Sequence, residues 1–316
     1  MDIYRDYFTR EQLLGSIVKA AYTPGRCAEL FETIPLTSTT LALEDVPKNG
    51  ATILTAVPRG APSRIESLER RNVFTFQTNH YRADGSVYAD EVLNARSAGV
   101  AGMAEVIVQR RDALLARLRL DIDLTHESLR TACVVTPSNA FGNLVSTQQI
   151  ALATDATKTR SEIFTKCIQP IEAGLDGTPN PGGILALCSD TFWAKFIENA
   201  AVKATLLNTS MAQALRNDPR ETVFFGGVTW ERYRGTGTVV IPTGEARVFP
   251  VGVPQMFVQA FAPADTLSSV GAGAMGSPYD VQAIASADNR RWYLEVQTNV
   301  VMVCTRPAAV LQITTN

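Results

Sequence analysis

The spacing of apolar and polar residues predicts helices early in the chain and strands late in it. Apolar residues at three- and four-residue steps predict a short helix over about Thr9 to Ala21 and a long helix over Ala101 to Ala132. The residues that could break this long helix are Asp121 to Thr125. Its apolar stripe consists of Met103, Ile107, Leu114, Leu118, Ile122 and Leu129.

Strand signals alternate with turn signals through the rest of the chain. Alternation from Val73 to Asn79 predicts a strand, and Ala83-Asp84-Gly85-Ser86 predicts a turn. Short strands are expected at Cys133 to Val135 and at Leu144 to Ile150, and a helix over Lys158 to Gly174.

The same pattern continues towards the end of the chain. Ile184 to Cys188 is a buried strand, and Ser189 or Asp190 caps the helix that follows it. From Pro219 to Val303 the pattern is mostly strand, which makes the class mixed α+β.

The composition suits a large folded protein with two lobes or one elaborated domain. The chain has 316 residues, 46% hydrophobic and 19% charged, so it can bury a sizeable core. A net charge of -2 argues against a dedicated nucleic-acid-binding protein, which would usually be basic. We expect no secretory signal and no membrane span, since no apolar stretch is long enough.

The residue types that could catalyse a reaction or bind a metal are scattered along the chain. We therefore expect no catalytic residues, no metal and no cofactor. The five cysteines are far apart and are expected to be reduced and buried. His80 and His126 are expected at surface or hairpin positions, because two isolated histidines cannot form a histidine-rich metal site. The carboxylate pairs Asp121/Asp123 and Asp84/Asp90 are expected to be solvated.

One glycine motif resembles a dinucleotide-binding fingerprint. Gly271, Gly273 and Gly276 match G-x-G-x-x-G, which needs a strand before it and a helix after it. The flanking residues instead indicate a surface loop, so an oxidoreductase is a weak alternative.

A densely charged hairpin between Val57 and Asp90 is the best functional candidate among these features. It has little apolar content of its own to bury, so we expect it to lie on a neighbouring subunit. Mixed charges suit salt bridges that fix the register between subunits. The candidate contact residues are Arg59, Arg64, Glu66, Glu69, Arg70 and Arg71.

Six short blocks in the last hundred residues carry a family resemblance. They are Phe225-Gly226-Gly227, Tyr233-Arg234-Gly235, Phe249-Pro250-Val251-Gly252, Ala262-Pro263-Ala264-Asp265, Glu295-Val296-Gln297-Thr298-Asn299 and Thr305-Arg306-Pro307. In this order they resemble the lambda-type phage major capsid proteins, the capsid protein E family. The first half of the chain agrees with that family in layout only.

The resemblance implies the Hong Kong 97-like fold and a division of the chain into named parts. Residues 1–48 would be an N-terminal arm, and residues 49–90 an extended hairpin called the E-loop. Residues 91–150 would form the P-domain with its spine helix. Residues 151–289 would form the A-domain, and residues 290–316 a strand that returns to the P-domain.

The resemblance also implies a function in assembly. Copies of the chain would form hexamers and pentamers of an icosahedral shell around double-stranded DNA, assembled in the cytoplasm of a bacterial host. Implied partners are scaffold and portal proteins, a decoration protein in decorated shells, and packaged DNA through non-specific contact. An encapsulin-like nanocompartment shell and a tail or minor structural protein are the alternatives.

Overall fold

A computed structural model describes the chain over part of its length, and the statements below concern that part. The described residues are 8–19, 25–44, 58, 72–93, 99–151, 158–175, 177, 180, 182–207, 222–235, 237, 239–270, 273–288 and 290–315. They fall into two compact units, each made of three separate segments. Unit 1 comprises Met1–Leu41, Phe76–Ala132 and Phe257–Val303, and unit 2 comprises Ala42–Thr75, Cys133–Met256 and Cys304–Asn316.

The strands and helices follow in chain order. The strands are β1 (Glu32–Pro35), β2 (Thr40–Glu44), β3 (Val73–Gln77), β4 (Asn79–Tyr88), β5 (Val145–Ile150), β6 (Ile184–Cys188), β7 (Val223–Phe225), β8 (Val228–Arg232), β9 (Glu245–Pro250), β10 (Phe257–Ala262), β11 (Asp280–Ala285), β12 (Arg291–Cys304) and β13 (Leu311–Thr315). The helices are α1 (Arg10–Lys19), α2 (Ala89–Leu93), α3 (Gly99–Val135), α4 (Thr159–Ile163), α5 (Gln169–Leu175), α6 (Asp190–Glu198), α7 (Ala200–Leu207) and α8 (Leu267–Val270).

Unit 1 packs two helices on a sheet. In its described residues the sheet order is β1-β10-β12-β11, and β4 also pairs with β12. The core consists of apolar side chains from α1, α3 and the sheet, among them Leu13, Ile17, Leu115, Ile122 and Leu294. Residues from distant parts of the sequence therefore share one core, which only tertiary folding can complete.

Helix α1 is fastened to unit 1 by polar contacts as well as by its apolar face. Arg10 forms an ion pair with Asp280 at the start of β11. From α3, Arg111 donates to the Ser16 hydroxyl at 3.0 Å, and Arg119 donates to the Ile17 carbonyl. The last of these bonds gives a backbone carbonyl in the final described turn of α1 a side-chain donor.

Unit 2 is built around a mixed sheet. In its described residues the strand order is β5-β13-β9-β6-β8-β7. All five residues of β6 are buried, as a central strand covered on both faces requires. Helix α6 begins where the Ser189 side chain accepts a bond from the Phe192 amide, which confirms the predicted cap. Phe196 of α6 stacks on Trp230 of β8 with ring centroids 4.6 Å apart.

Several of the predicted elements are confirmed. Helix α1 and helix α3 occupy the expected positions, and β5 and β6 lie where strands were predicted. Helix α3 runs unbroken through Asp121 to Thr125, because the polar residues there are bonded along the helix. Thr125 donates to the Asp121 carbonyl at 2.8 Å, and Arg119 pairs with Asp123 at 3.3 Å.

Three of the predicted elements need correction. The expected turn at Ala83 to Ser86 is wrong, because β4 continues through it and pairs with β12. The expected strand at Cys133 to Val135 is the last turn of α3. The helix predicted over Lys158 to Gly174 contains a π-helical turn at Phe164–Ile168 between α4 and α5.

Candidate functional site

Two of the six sequence blocks meet in unit 1 and form one hydrogen-bonded joint. Ala262-Pro263-Ala264-Asp265 follows the end of β10, and Glu295 to Asn299 lies in the middle of β12. Gln297 accepts from the Asp265 amide at 3.3 Å, and Asn299 donates to the Pro263 carbonyl at 2.5 Å. We call this arrangement the β10–β12 joint.

Both amide side chains of the joint are bonded at their two ends. Gln297, only 1% exposed, also lies 3.4 Å from a carboxylate oxygen of Asp280. The Asn299 carbonyl oxygen accepts from His80 Nδ1 at 2.6 Å. Buried amides lose stability when they are unsatisfied, so this pairing explains why Gln and Asn occupy these positions.

Thr298 connects the same strand to α3 through a buried histidine. Its hydroxyl lies 3.0 Å from His126 Nε2, and the His126 ring packs edge-on against Phe261. The expectation of a surface position for His126 is therefore wrong. Burial, helped by the nearby Arg130 charge, lowers the pKa of His126 to about 3, so the ring is neutral and structural at pH 7.

The other histidine and the carboxylates considered as catalytic candidates are either exposed to solvent or buried in structural hydrogen bonds. His80 is exposed on β4, as expected, and Asp84 and Asp90 are also exposed. Asp123 is buried instead of solvated, because it bonds Tyr279 and Arg119. Desolvation raises the pKa of this carboxyl. Within the described residues no group of three or more His, Cys, Asp or Glu side chains is placed to hold a metal ion.

The glycine motif lacks the surroundings of a dinucleotide site. The short helix α8 precedes it, and the next described element after Gly276 is β11, a strand. A Cβ at position 276 would lie 1.7 Å from the Phe261 carbonyl oxygen, so glycine is needed there for close packing. The loop interpretation is confirmed for the described residues 273–279.

The other four blocks are turns and joints of unit 2. Gly226 and Gly227 have φ of +65° and +86° in the tight turn between β7 and β8, which favours glycine. Tyr233 donates from its backbone to the Cys188 carbonyl at 3.0 Å, and Val251 donates to the Gly183 carbonyl at 2.9 Å. Thr305 donates to the Gln255 carbonyl at 2.7 Å. Each block therefore fixes a chain reversal or a strand end.

The cysteines agree with the expectation from the sequence. All five are buried, and none forms a disulfide: Cys27, Cys133, Cys167, Cys188 and Cys304. Burial is the main cause that raises the pKa of the Cys27, Cys167 and Cys304 thiols to about 12. These thiols are therefore poor nucleophiles at neutral pH.

The six predicted contact residues, Arg59, Arg64, Glu66, Glu69, Arg70 and Arg71, lie outside the described residues. What the structure describes is the pair of strands on either side of that segment, since β2 pairs with β3 in a two-stranded sheet. In the described part of the chain, no helix is long and apolar enough to cross a membrane.

A 37-residue helix packed on a sheet, with a second mixed α/β unit inserted into the chain, defines the Hong Kong 97-like fold. A family model described as phage major capsid protein E matches residues 9–315. The chain belongs to that family and is a phage major capsid protein, a component of the virion shell that associates with its own copies.

Solved structures show the same fold at low sequence identity. A putative capsid protein of a prophage in E. coli CFT073 has 10% identity and a TM-score of 0.57, covering 97% of this chain and 99% of its own. The capsid of cyanophage P-SCSP1u gives 12% identity and a TM-score of 0.56, with 94% and 90% covered. A virus-like particle from Pyrococcus furiosus has 10% identity and a TM-score of 0.52, covering 99% of this chain and 100% of its own. No curated protein matches the chain.

The sequence blocks identified the family, but they did not reveal the joint. Glu295 to Asn299 and Ala262 to Asp265 are thirty residues apart, and their pairing depends on the neighbouring positions of β10 and β12 in the sheet. A usable signal was present in the sequence, because Gln and Asn at alternate positions of an apolar strand require buried partners.

Proposed function

We propose that this chain is the major capsid protein of a tailed double-stranded DNA bacteriophage, whose copies form hexamers and pentamers that close an icosahedral shell around the genome. The observation that carries the proposal is the family match over residues 9–315 on a Hong Kong 97-like fold. The encapsulin-like alternative shares the fold, and the phage family match favours the capsid.

The mechanism is repeated association of one chain. Each interface is modest, and its repetition around a closed shell makes the assembly stable. We propose the division into arm (1–48), E-loop (49–90), P-domain (91–150 with return strand 290–316) and A-domain (151–289). The two compact units support a two-lobed subunit, and their later boundaries fall between Ala132 and Cys133, between Met256 and Phe257, and between Val303 and Cys304.

The proposed E-loop contact is electrostatic. Arg59, Arg64, Glu66, Glu69, Arg70 and Arg71 would pair with charges on an adjacent subunit. A single exposed pair contributes only about 0–1 kcal/mol, so these charges would set register and orientation more than affinity.

The further partners follow from the same role. Scaffold and portal proteins would direct closure in the host cytoplasm, and a decoration protein would cover the finished shell in decorated members. Packaged DNA would touch the inner face without specific recognition. The net charge of -2 supports this, because strong phosphate contacts would make DNA release salt-dependent.

We propose that DNA packaging converts a precursor shell into an expanded one by rearrangement of packed lobes, a two-state transition. Cryo-electron microscopy of DNA-free and DNA-filled shells measures this directly. We expect two subunit conformations, and one identical conformation in both shells would contradict the transition while leaving the capsid function in place.

The experiment that tests the function is negative-stain electron microscopy of the purified chain, expressed alone and with its adjacent genes. We expect closed, uniform polyhedral shells, or capsomers that become shells when a partner is present. A monodisperse monomer or small oligomer under every condition would contradict the proposal. Tubes or open rings would favour a tail or minor structural protein instead.

A further inference from the structure

The segment between β10 and β11 presents apolar side chains to solvent on a firmly anchored loop. Leu267 is 94% exposed and Val270 is 82% exposed, both in α8, and Met275 is 63% exposed. We call these three residues the β10–β11 crown. Single exposed apolar residues are ordinary, but three on one loop form a candidate contact surface.

The base of this loop is held in place from both sides. At its start, Asn299 and Gln297 bond the Pro263 carbonyl and the Asp265 amide. At its end, the Gly276 amide donates to the Leu36 carbonyl at 2.8 Å. Thr266 and Ser269 share a bond of 2.6 Å between their hydroxyls inside the loop. A loop so anchored presents its apolar side chains at low conformational cost on binding.

Four of the anchoring residues belong to the family blocks. The β10–β12 joint uses Pro263, Asp265, Gln297 and Asn299, so the most specific part of the sequence serves to position this loop. Beside the crown lies a small recess whose lining includes Met275, Ser277, Arg10 and Asp280. The exposed side chains and the recess together offer a projection and a depression to a partner surface.

We propose that the β10–β11 crown is a contact between copies of this chain in the assembled shell, with Leu267 and Val270 buried by a second copy. The inference rests on the proposed function, because a shell of identical chains supplies that copy at every position. Interface cores are apolar and depleted in charge, and the sequence from Thr266 to Tyr279 contains no charged residue.

Cysteine labelling of assembled and dissociated protein tests the contact directly. The native cysteines are all buried, so Leu267→Cys introduces an exposed thiol against a low background of labelling. We expect a maleimide to label the variant at least about tenfold more slowly in shells than in dissociated subunits, because a buried thiol is inaccessible. Equal labelling rates in the two states would overturn the proposal.

A second variant tests whether the contact supports assembly. Leu267→Ser with Val270→Ser removes apolar surface that is exposed in the subunit, so folding should be retained, which circular dichroism checks. We expect folded subunits that fail to form shells or form them at several-fold lower yield. The control is Ile284→Ser on β11, a half-exposed apolar position of the same unit outside the crown. Wild-type yield in the double variant would count against the contact.

The outcomes separate this inference from the function on which it rests. Wild-type shells with a freely labelled Leu267→Cys variant would overturn the crown contact and keep the capsid function. Protection that appears only when a product of an adjacent gene is present would assign the crown to that protein instead of a second copy. Absence of wild-type shells under every condition would overturn both.

Discussion

At the scale of single residues, β12 shows how one strand serves three purposes. Val296 is fully buried in the core, Gln297 and Asn299 bond the segment after β10, and Glu295 pairs with Arg82 on the adjacent strand at 3.6 Å. The side chains that carry polar atoms into the interior are those whose partners come from distant segments. Removing these side chains should therefore lower the free energy of unfolding more than removing surface charges does.

The variant Asn299→Ala tests this difference. It removes the donor to the Pro263 carbonyl and the acceptor for His80, so we expect the free energy of unfolding to fall by about 1–3 kcal/mol. The control Glu295→Gln weakens an ion pair whose arginine is half exposed, and should cost about 0–1 kcal/mol. Urea unfolding followed by tryptophan fluorescence measures both, and equal costs would contradict the role of the joint.

His126 should make the folded protein sensitive to acid. The folded pKa is about 3 against 6.5 for an ordinary histidine, so between these values the unfolded chain binds a proton that the folded chain does not. Stability is then fully present above about pH 6.5 and falls as the pH is lowered towards 3, by at most about 1.4 kcal/mol per pH unit. Asp123, whose pKa is raised, acts in the opposite sense and is common to all variants compared.

The variant His126→Gln should flatten this pH dependence. Glutamine does not titrate, so the free energy of unfolding should change less between pH 6.5 and pH 4 than in the wild type. The control Thr298→Val loses the same hydrogen bond but keeps the imidazole, and should retain the wild-type slope. Parallel slopes in the wild type and His126→Gln would show that the histidine does not cause the effect.

At the scale of elements, helices and strands with regular apolar spacing can be predicted from the sequence, and the elements that cannot be predicted depend on tertiary contacts. The helix α3 and the strand β6 follow from spacing and apolar content alone. The strand β4 did not, because Gly85 resembled a turn signal. In the structure Gly85 lies opposite Leu294, and a Cβ there would come within 2.7 Å of Leu114 on α3. A close approach of helix and strand, not a turn, explains this glycine.

Two helical glycines make a matched test of that distinction. Gly15 in α1 has open space around it, so Gly15→Ala should stabilise the protein by up to about 1 kcal/mol through helix propensity. Gly174 in α5 lies against the backbone at Ala308, where a Cβ would fall 2.1 Å from the carbonyl oxygen. Gly174→Ala should therefore destabilise by about 1–3 kcal/mol or more. Thermal unfolding of both variants measures the contrast, and shifts of the same sign would refute it.

At the scale of the whole molecule, the apolar spacing predicts only the fold class, and the family resemblance is needed to predict the function. Apolar spacing identified a mixed α+β chain, and the ordered blocks from Phe225 to Pro307 pointed to the capsid family, which the match over residues 9–315 confirms. The pairing of distant blocks and the burial of His126 and Asp123 depend on contacts that no local window contains. The charged residues from Arg59 to Arg71 remain a prediction, because they lie outside the described residues.

The shell should be held together without covalent links between subunits. Some members of this fold join a loop lysine to an asparagine of a neighbour, and the proposed E-loop, residues 49–90, contains no lysine. We expect shells boiled in detergent to give a single band at the mass of one chain on a denaturing gel. A ladder of covalent oligomers would contradict this expectation.

The positions of β12 and β13 in their sheets have a consequence for protein synthesis. Strand β12 lies between β10 and β11, and strand β13 lies between β5 and β9, although both are made after every strand they join. A ribosome that stops before residue 291 therefore releases a polypeptide lacking an interior strand of each sheet. Such a product cannot complete either core, so premature termination yields material for proteases instead of defective building blocks that would enter a growing shell.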